Sequence, residues 1–331
     1  MRGWLLVVAL WAPAWGQNFT DYRVLRVAAG HTFTEGPAWS RQGYLLFSDV
    51  PNDKIWRFMP GEKPVVFREA SNGANGNAFD AKGRLYTCES RTRRVIRTDD
   101  KGTVEVLAER WEGKRLNAPN DIVVRKDGHV YFTDPAFGRQ ADARELDFYG
   151  VYHISPKGEL NLVAKPEGRP NGIGLSPDGR ILYVANSDER NLRAYDLDRQ
   201  GKASNERVLI AAIDGPPDGI AVDERGNLYV AANQLFIYSP QGKLLHAIEL
   251  AEKGMYGICE MCGVRIPPER LEIMPETTVC VNCAGRLEEG IRRRQMQMGD
   301  QEDYEDRLSE EGEYDEEDYE DEDEDLEDEE L

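Results

Sequence analysis

Five oxygen-bearing side chains recur at one position of a repeated sequence pattern. They are Glu35, Asn75, Asn120, Asn171 and Asp218, at spacings of 40, 45, 51 and 47 residues. In equivalent units around one axis these side chains would converge. Carboxylate and amide oxygens suit a hard divalent cation such as Ca²⁺, Mg²⁺ or Mn²⁺. The alternative is turn chemistry, because Asn and Asp also favour turns through local hydrogen bonds.

Four of the five cysteines form a second constellation. Cys259-x-x-Cys262 is followed, after 17 residues, by Cys280-x-x-Cys283. Two such pairs complete a tetrahedral zinc site, and zinc binding folds short segments that lack a core. The alternative is two disulfides, which an exported chain would form under oxidising conditions. The fifth cysteine, Cys88, lies mid-strand in the repeat and is expected in the core.

The scaffold for the five oxygen-bearing residues is a repeat of strand, tight turn and strand. In each copy a glycine follows eight positions after the first residue, namely Gly43, Gly83, Gly128, Gly179 and Gly226. An aromatic residue follows eleven or twelve positions after it, at Phe47, Tyr86, Tyr131, Tyr183 and Tyr229. A second alternating hairpin comes after each copy. Four strands per repeat predict the blades of an all-β propeller, whose inner strands line a central channel.

Several motifs resemble the gluconolactonase and regucalcin-like family of six-bladed propellers. They span about residues 22–250 and include EGPAW (Glu35–Trp39), APNDIVV (Ala118–Val124), YFTDP (Tyr131–Pro135), PNGIGLSPDGRILYVAN (Pro170–Asn186) and PDGIAVDERGNLYVA (Pro217–Ala231). The resemblance implies hydrolysis of lactones and related esters. It also implies a divalent metal (Ca, Mg, Mn or Zn) held by Glu35, Asn171 and Asp218. Asn120 would complete the site or contact substrate, and Asp218 would also be the base for water attack.

One blade departs from that family. A sixth glycine-bearing hairpin should begin near residue 260–270, and it is absent from the sequence. The segment YRVLRVA, residues 22–28, could supply an outer strand, but the inner strands of the last blade are missing. We therefore expect five full blades. The open edge is a surface through which copies of the chain could associate.

The segment around the cysteines, Tyr256–Glu288, resembles the C-terminal zinc finger of DksA/TraR-type bacterial regulators. In that family a coiled coil precedes the finger and acts on RNA polymerase. This chain has no such coiled coil, so polymerase regulation does not follow from the resemblance.

The two ends of the chain predict export and disorder. Met1-Arg2, an apolar run and Ala14-Trp15-Gly16 form an export-signal pattern, against the alternative of a buried N-terminal element. Residues 300–331 hold 22 of the 61 acidic residues and one of the 41 basic ones, so this tail should be disordered. The resulting plan is a signal peptide at 1–16, a propeller at 17–252, a zinc finger at 253–293 and an acidic tail at 294–331.

Composition and motifs exclude several function classes. Outside residues 300–331 the chain has 40 basic and 39 acidic residues, so the propeller lacks the basic surface of a nucleic-acid-binding protein. No apolar run is long enough to span a membrane. No GxSxG nucleophile motif is present, and His31, His129, His153 and His246 are scattered along the chain, which favours structural or exposed positions over catalytic ones.

Three functions remain open. The ring of oxygen ligands favours a metal-dependent lactone or ester hydrolase with a small-molecule substrate. The missing blade favours a non-catalytic binding module. The finger and tail favour a zinc-finger adaptor, which the export signal opposes. The signal predicts a secreted or periplasmic protein, whereas the finger alone would indicate the cytoplasm. A natural fusion and a gene-model artefact both account for that conflict.

Overall fold

Residues 31–249 form five four-stranded antiparallel sheets that follow one another along the chain. The structure is a computed structural model. It describes residues 31–249, except the side chain of Arg139. It also describes residues 19, 22, 27, 28, 30, 264, 266, 267, 270, 277 and 279–286. The chain divides into two units, Met1–Tyr256 and Gly257–Leu331.

In every sheet the four strands pair in chain order. Blade 1 comprises β1 (Thr34–Trp39), β2 (Leu45–Asp49), β3 (Lys54–Phe58) and β4 (Val65–Arg68). Blade 2 comprises β5 (Ala74–Phe79), β6 (Leu85–Glu89), β7 (Arg94–Thr98) and β8 (Val104–Ala108). A small ribbon of β9 (Arg110–Trp111) and β10 (Lys114–Arg115) follows. The prediction of an all-β propeller with five full blades is confirmed.

The remaining three blades have the same order. Blade 3 comprises β11 (Ile122–Val124), β12 (Val130–Asp134), β13 (Gly150–Ile154) and β14 (Leu160–Ala164), with a 3-10 helix over Gly138–Ala143. Blade 4 comprises β15 (Pro170–Leu175), β16 (Ile181–Asn186), β17 (Asn191–Leu197) and β18 (Ala203–Ile210). Blade 5 comprises β19 (Ile220–Val222), β20 (Leu228–Ala231), β21 (Leu235–Tyr238) and β22 (Leu244–Ile248).

The repeated glycines and aromatic residues have the roles that the sequence predicts. The five glycines close the hairpins between the first two strands of each blade, with φ between +69° and +95°. This left-handed region is costly for other residues. The five aromatic residues are at most 6% exposed. They lie on the second strands, and Cys88 is buried beside them in β6, as expected.

The core consists of layers between neighbouring blades. Blades 2 and 3 share a cluster that includes Tyr86, Phe132 and Tyr152, and blades 4 and 5 share one around Tyr183 and Val230. The fourth strands are more exposed than the second ones, since β4 and β8 each begin with three exposed residues whereas β2 and β6 are buried throughout. The sheets therefore pack face to face around the channel.

The N-terminal segment touches the two blades on either side of the missing one. Phe19 and Tyr22 pack on blade 5 with Tyr229, Leu235 and Ile237. Val27 and Ala28 pack on blade 1 in a cluster with Leu45, Phe47 and Phe58. The two described ends of YRVLRVA thus contact both flanking faces, while its strand pairing falls outside the described residues.

Other predictions concern parts of the chain that are not described. The signal peptide at 1–16, Cys259, Cys262 and the acidic tail at 294–331 all lie outside the described residues. Within the described part of the chain, no helix has the length and apolar character needed to cross a membrane.

Two of the histidines lie against each other between blades 3 and 4. His129 Nδ1 and His153 Nε2 are 2.6 Å apart and share one hydrogen bond, and both side chains are buried. Burial is the main reason that the pKa of His153 is lowered to about 4; the neighbouring His129 and Arg125 contribute to the decrease, while Asp198 and Asp127 oppose it. The pKa of His129 is lowered as well, mainly by burial.

This pair should make the fold less stable in mild acid. His153 takes up a proton near pH 6.5 in the unfolded chain but only near pH 4 in the folded chain. The free energy of unfolding is therefore highest above pH 6.5 and falls as the pH drops to about 4. For His153 the full loss is about 3 kcal/mol, because the pKa differs by about 2.5 units at 1.36 kcal/mol per unit. His153→Gln replaces the imidazole by an amide, which can still donate a hydrogen bond but cannot take up the proton. Urea unfolding at pH 7.5 and 5.0 should show a smaller loss for this variant, and equal losses would contradict the assignment.

Candidate functional site

The five predicted oxygen-bearing residues stand at the same end of the five inner strands. Glu35, Asn75 and Asn171 lie within the first two residues of β1, β5 and β15. Asn120 and Asp218 lie two residues before β11 and β19. Because every inner strand is the first strand of its sheet, all five positions enter the channel from one mouth.

Glycines let the inner strands approach each other at this mouth. A Cβ on Gly36 would lie 2.0 Å from the Asn75 carbonyl oxygen, and one on Gly172 would lie 2.1 Å from that of Asp218. A Cβ on Gly76 would lie 2.6 Å from the Asn120 carbonyl oxygen, which accepts a hydrogen bond from the Gly76 N–H at 2.6 Å. Only glycine fits where two backbones come this close.

The third copy departs from this rule and carries Asp121 where the others have glycine. The Asp121 carboxylate accepts hydrogen bonds from its neighbour's N–H at Ile122 and from the Ile173 N–H of blade 4, both at 2.9 Å. A side chain here replaces the direct backbone contact. Asp121 is not among the residues predicted from the sequence, although its place in a glycine position is a signal that the sequence carries.

A hydroxyl on the second strand joins Asn120 to Asn171. Thr133 Oγ1 donates to the Asn171 carbonyl at 2.7 Å, and the Thr133 carbonyl accepts from the Asn120 N–H at 2.8 Å. Ser187 repeats this bridge in blade 4 by donating to the Pro217 carbonyl, next to Asp218. The backbone that presents these side chains is therefore fixed at the boundary between blades 3 and 4 and at the boundary between blades 4 and 5.

These contacts link the five positions in a row. Glu35 adjoins Asn75 through Gly36, Asn75 adjoins Asn120, and Asn171 adjoins Asp218 through Gly172. The row does not close from Asp218 back to Glu35 by the same contact. A Cβ on Gly219, the glycine that follows Asp218, would meet nothing within 4 Å among the described residues. The opening coincides with the missing sixth blade.

The side chains offer a donor set suited to a hard cation. No hydrogen bond occupies the side-chain amides of Asn75 and Asn120 within the described residues, and Asn171 uses only its Nδ2, which donates to Ser187 Oγ at 3.2 Å. The amide oxygens of these residues are thus available as ligands. The described residues contain no group of three or more His, Cys, Asp or Glu that could hold a metal. A site here would have to combine amides with the two carboxylates.

The charges at the mouth favour a cation. The pKa of Asp121 is raised to about 7, chiefly because burial disfavours its charge, with the negative charge of Asp218 adding to the effect. The Ile173 and Ile122 N–H groups partly offset this rise. Carboxylates that crowd each other repel or take up a proton unless a cation lies between them.

The inner strands also line a cavity of about 630 Å³. Its lining comes from all five inner strands and includes Asn77, Asp121, Ile173 and Ile220. Asp121 and Asn77, whose Nδ2 donates to the Asn75 carbonyl at 3.0 Å, thus connect the row at the mouth to the cavity.

Comparison with known proteins agrees with this architecture. Residues 33–264 match the model of the SMP-30/gluconolactonase/LRE-like region. The chain belongs to the SMP-30/gluconolactonase/LRE-like family. It is 33% identical over 252 residues to a gluconolactonase of Zymomonas mobilis, which covers 67% of this chain and 71% of that protein.

Two more relatives extend the comparison. The chain is 28% identical over 239 residues to the diisopropyl-fluorophosphatase of Loligo vulgaris, covering 63% of this chain and 75% of that one. A solved gluconolactonase structure from Xanthomonas campestris has a TM-score of 0.62 and 34% identity, and the match covers 67% of this chain and 77% of that one. These family members confirm the prediction of an enzyme of the gluconolactonase-like hydrolase class.

A second family match lies beyond the propeller. Residues 254–289 match the prokaryotic dksA/traR C4-type zinc finger, which confirms the predicted fusion. Cys280 and Cys283 are buried with Ile266, and the N–H of Cys283 donates to the Cys280 carbonyl at 3.1 Å. A helix over 281–286 carries the second of these cysteines.

Proposed function

We propose that this protein hydrolyses lactones at the channel mouth with a divalent cation held by Glu35, Asn171 and Asp218. The cation would be Ca²⁺, Mg²⁺, Mn²⁺ or Zn²⁺. The main support is the row of glycine contacts that brings Asn171 against Asp218 and Glu35 against Asn75. Membership of a family that includes gluconolactonases supports the substrate class.

The residues at the mouth have distinct roles in the proposed reaction, and Asp218 has two, as cation ligand and as base. Asp218 accepts the proton of the attacking water, because a carboxylate near the reacting carbon serves as general base. Asn120, whose backbone is fixed by Thr133, orients the lactone through its side-chain amide. Asp121 lies next to Asn120 in the chain and, when ionised, adds negative charge near Asp218. When bound, the cation supplies Lewis-acid polarisation of the lactone carbonyl.

A panel of sugar lactones and simple esters tests this proposal. Proton release is followed with each of the four divalent metals in turn. We expect hydrolysis of at least one lactone, at a rate that depends on the metal. A folded protein that hydrolyses none of them would instead be a binding module, which the missing inner strands of the sixth blade favour.

We further propose that Cys259, Cys262, Cys280 and Cys283 bind one structural zinc ion. The burial of Cys280 and Cys283 beside Ile266 supports a closed site. Metal analysis of the purified protein should give about one tightly bound zinc per chain, as four-cysteine sites do. Cys283→Ser should lose this zinc, while the control Cys88→Ser, in the propeller core, should keep it. Four unreactive sulfurs with no zinc would show disulfides instead.

Export and self-association remain proposals for the whole chain. We infer from the N-terminal pattern that cleavage before Gln17 releases the protein outside the cytoplasm. The mass of the native protein tests both this cleavage and the natural occurrence of the fusion. Sedimentation of the same sample tests association through the open propeller edge.

A further inference from the structure

The long connection between β12 and β13 is fastened to blade 4 by Arg169. The Arg169 guanidinium lies over the ring of Phe137, 4.7 Å from its centroid. The same group bonds both carboxylate oxygens of Asp188, with Nε at 3.0 Å from each. The Arg169 N–H also donates to Asp188 at 2.8 Å. The planar guanidinium of Arg169 thus holds the connection against blade 4.

The geometry of this contact distinguishes it from an ordinary surface ion pair. The side chains of Arg169 and Asp188 are 33% and 38% exposed, and a simple pair at that exposure stabilises little. Here the guanidinium combines a bidentate bond with stacking on an aromatic ring, which lysine cannot reproduce. The Asp188 carboxylate raises the pKa of Arg169, so the group stays charged.

The other end of the connection has a separate anchor. Arg93 donates to the Ala143 carbonyl at 3.0 Å and to the Leu116 carbonyl at 2.6 Å. The 3-10 helix Gly138–Ala143 lies between the two anchors. Loss of Arg169 would therefore release the Phe137 end and leave the Ala143 end attached.

The Phe137 end is joined to the candidate site through the end of β12. Phe137 follows Thr133 by four residues, and Thr133 bonds both Asn120 and Asn171. Arg169 precedes Asn171 by two residues. Both halves of the contact therefore leave the strands at the mouth, on its Asn120–Asn171 side.

We propose that Arg169 is a positioning residue for this site, acting through Phe137 to hold the β12–β13 connection as one wall of the substrate mouth. The role rests on the proposed function, since the substrate is the lactone. Arg169 touches neither the reacting atoms nor the cation. It sets how well the mouth fits the substrate, so its loss weakens substrate binding more than turnover.

Trypsin cleavage tests the anchoring without reference to activity. The connection contains two trypsin sites, Arg139 and Arg144. In Arg169→Ala, cleavage after these residues should be at least about fivefold faster than in wild type, because the anchored end opens locally. Asp188→Asn and Phe137→Leu alter the two partners of Arg169 in the same contact and should show smaller increases in the cleavage rate. Arg180→Ala is the matched control, because Arg180 is 81% exposed on the β15–β16 hairpin of the same blade. Unchanged cleavage in all three variants would overturn the anchor.

Lactone kinetics test the positioning role. Arg169→Ala should raise KM by about tenfold and leave kcat within about threefold, as expected when binding common to ground and transition states is lost. The KM of Arg169→Lys should lie between those of Arg169→Ala and wild type.

Faster trypsin cleavage of Arg169→Ala with unchanged KM would overturn the role of Arg169 in the site while keeping the anchor. A purely structural role would instead lower the folded fraction and kcat, with KM unchanged. A wild-type protein inactive on every lactone would overturn the proposed function and the substrate role together, and the trypsin result would still decide the anchor.

Discussion

Asp218→Ala is expected to lower lactone hydrolysis by at least about 100-fold, the usual loss with a general base. The substitution removes a proposed cation ligand and the proposed base together. Asp218→Asn keeps a ligand oxygen and should retain more cation affinity, yet it cannot accept the proton and should remain slow. Initial rates of proton release at saturating metal measure both variants.

Two comparisons give this result its meaning. Asp100→Ala removes an exposed aspartate on the outer hairpin of blade 2 and should leave the rate unchanged. Asn75→Ala should cost less than Asp218→Ala, because Asn75 is not among the proposed ligands. Full activity in a folded Asp218→Ala protein would exclude the proposed mechanism, even though the family assignment stands.

Gly172→Ala should strongly destabilise the fold. Its new Cβ would lie 2.1 Å from the Asp218 carbonyl oxygen and 2.8 Å from the Ile220 N. Backbone atoms cannot yield as a flexible side chain can, so blades 4 and 5 must separate locally. The free energy of unfolding should fall by about 1–3 kcal/mol, the range for overpacked cores. The hydrogen bond from the Gly172 N–H to the Asp218 carbonyl, now 2.9 Å, should also weaken.

Gly219→Ala provides the matched control for this effect. Gly219 has the same position in blade 5, but its Cβ would meet no atom within 4 Å among the described residues, and its φ lies outside the left-handed region. Its free energy of unfolding should stay within about 0.5 kcal/mol of wild type. Urea unfolding of the three proteins measures the difference. Equal losses in both variants would contradict the close approach of blades 4 and 5.

The sequence predicted the features that depend on local pattern. The hairpin glycines, the buried aromatic residues and the shared register of the five oxygen-bearing residues follow from a repeat with period-2 alternation. Asp121 was missed because its meaning depends on the Ile173 N–H of the next blade, 52 residues away. The pairing of His129 with His153 likewise arises from strand register and side-chain direction, which no spacing rule conveys.

The anchoring by Arg169 shows a further limit. Phe137 and Arg169 are 32 residues apart, and each looks unremarkable in its own motif. Their contact depends on the path of the β12–β13 connection, which has no counterpart in the other blades. A sequence repeat conveys only what the blades share, so a feature that a single blade carries cannot be predicted from it.

Cation removal and add-back test the central claim most directly. The protein is stripped with a chelator, and Ca²⁺ or Mn²⁺ is then titrated back while lactone hydrolysis and bound metal are measured in the same sample. These oxygen-preferring ions do not suit a four-cysteine site, so the finger should not compete for them. We expect hydrolysis to vanish on stripping and to return in proportion to one cation bound per chain, with no such binding in Asp218→Ala. Undiminished hydrolysis by the fully stripped protein would contradict the account.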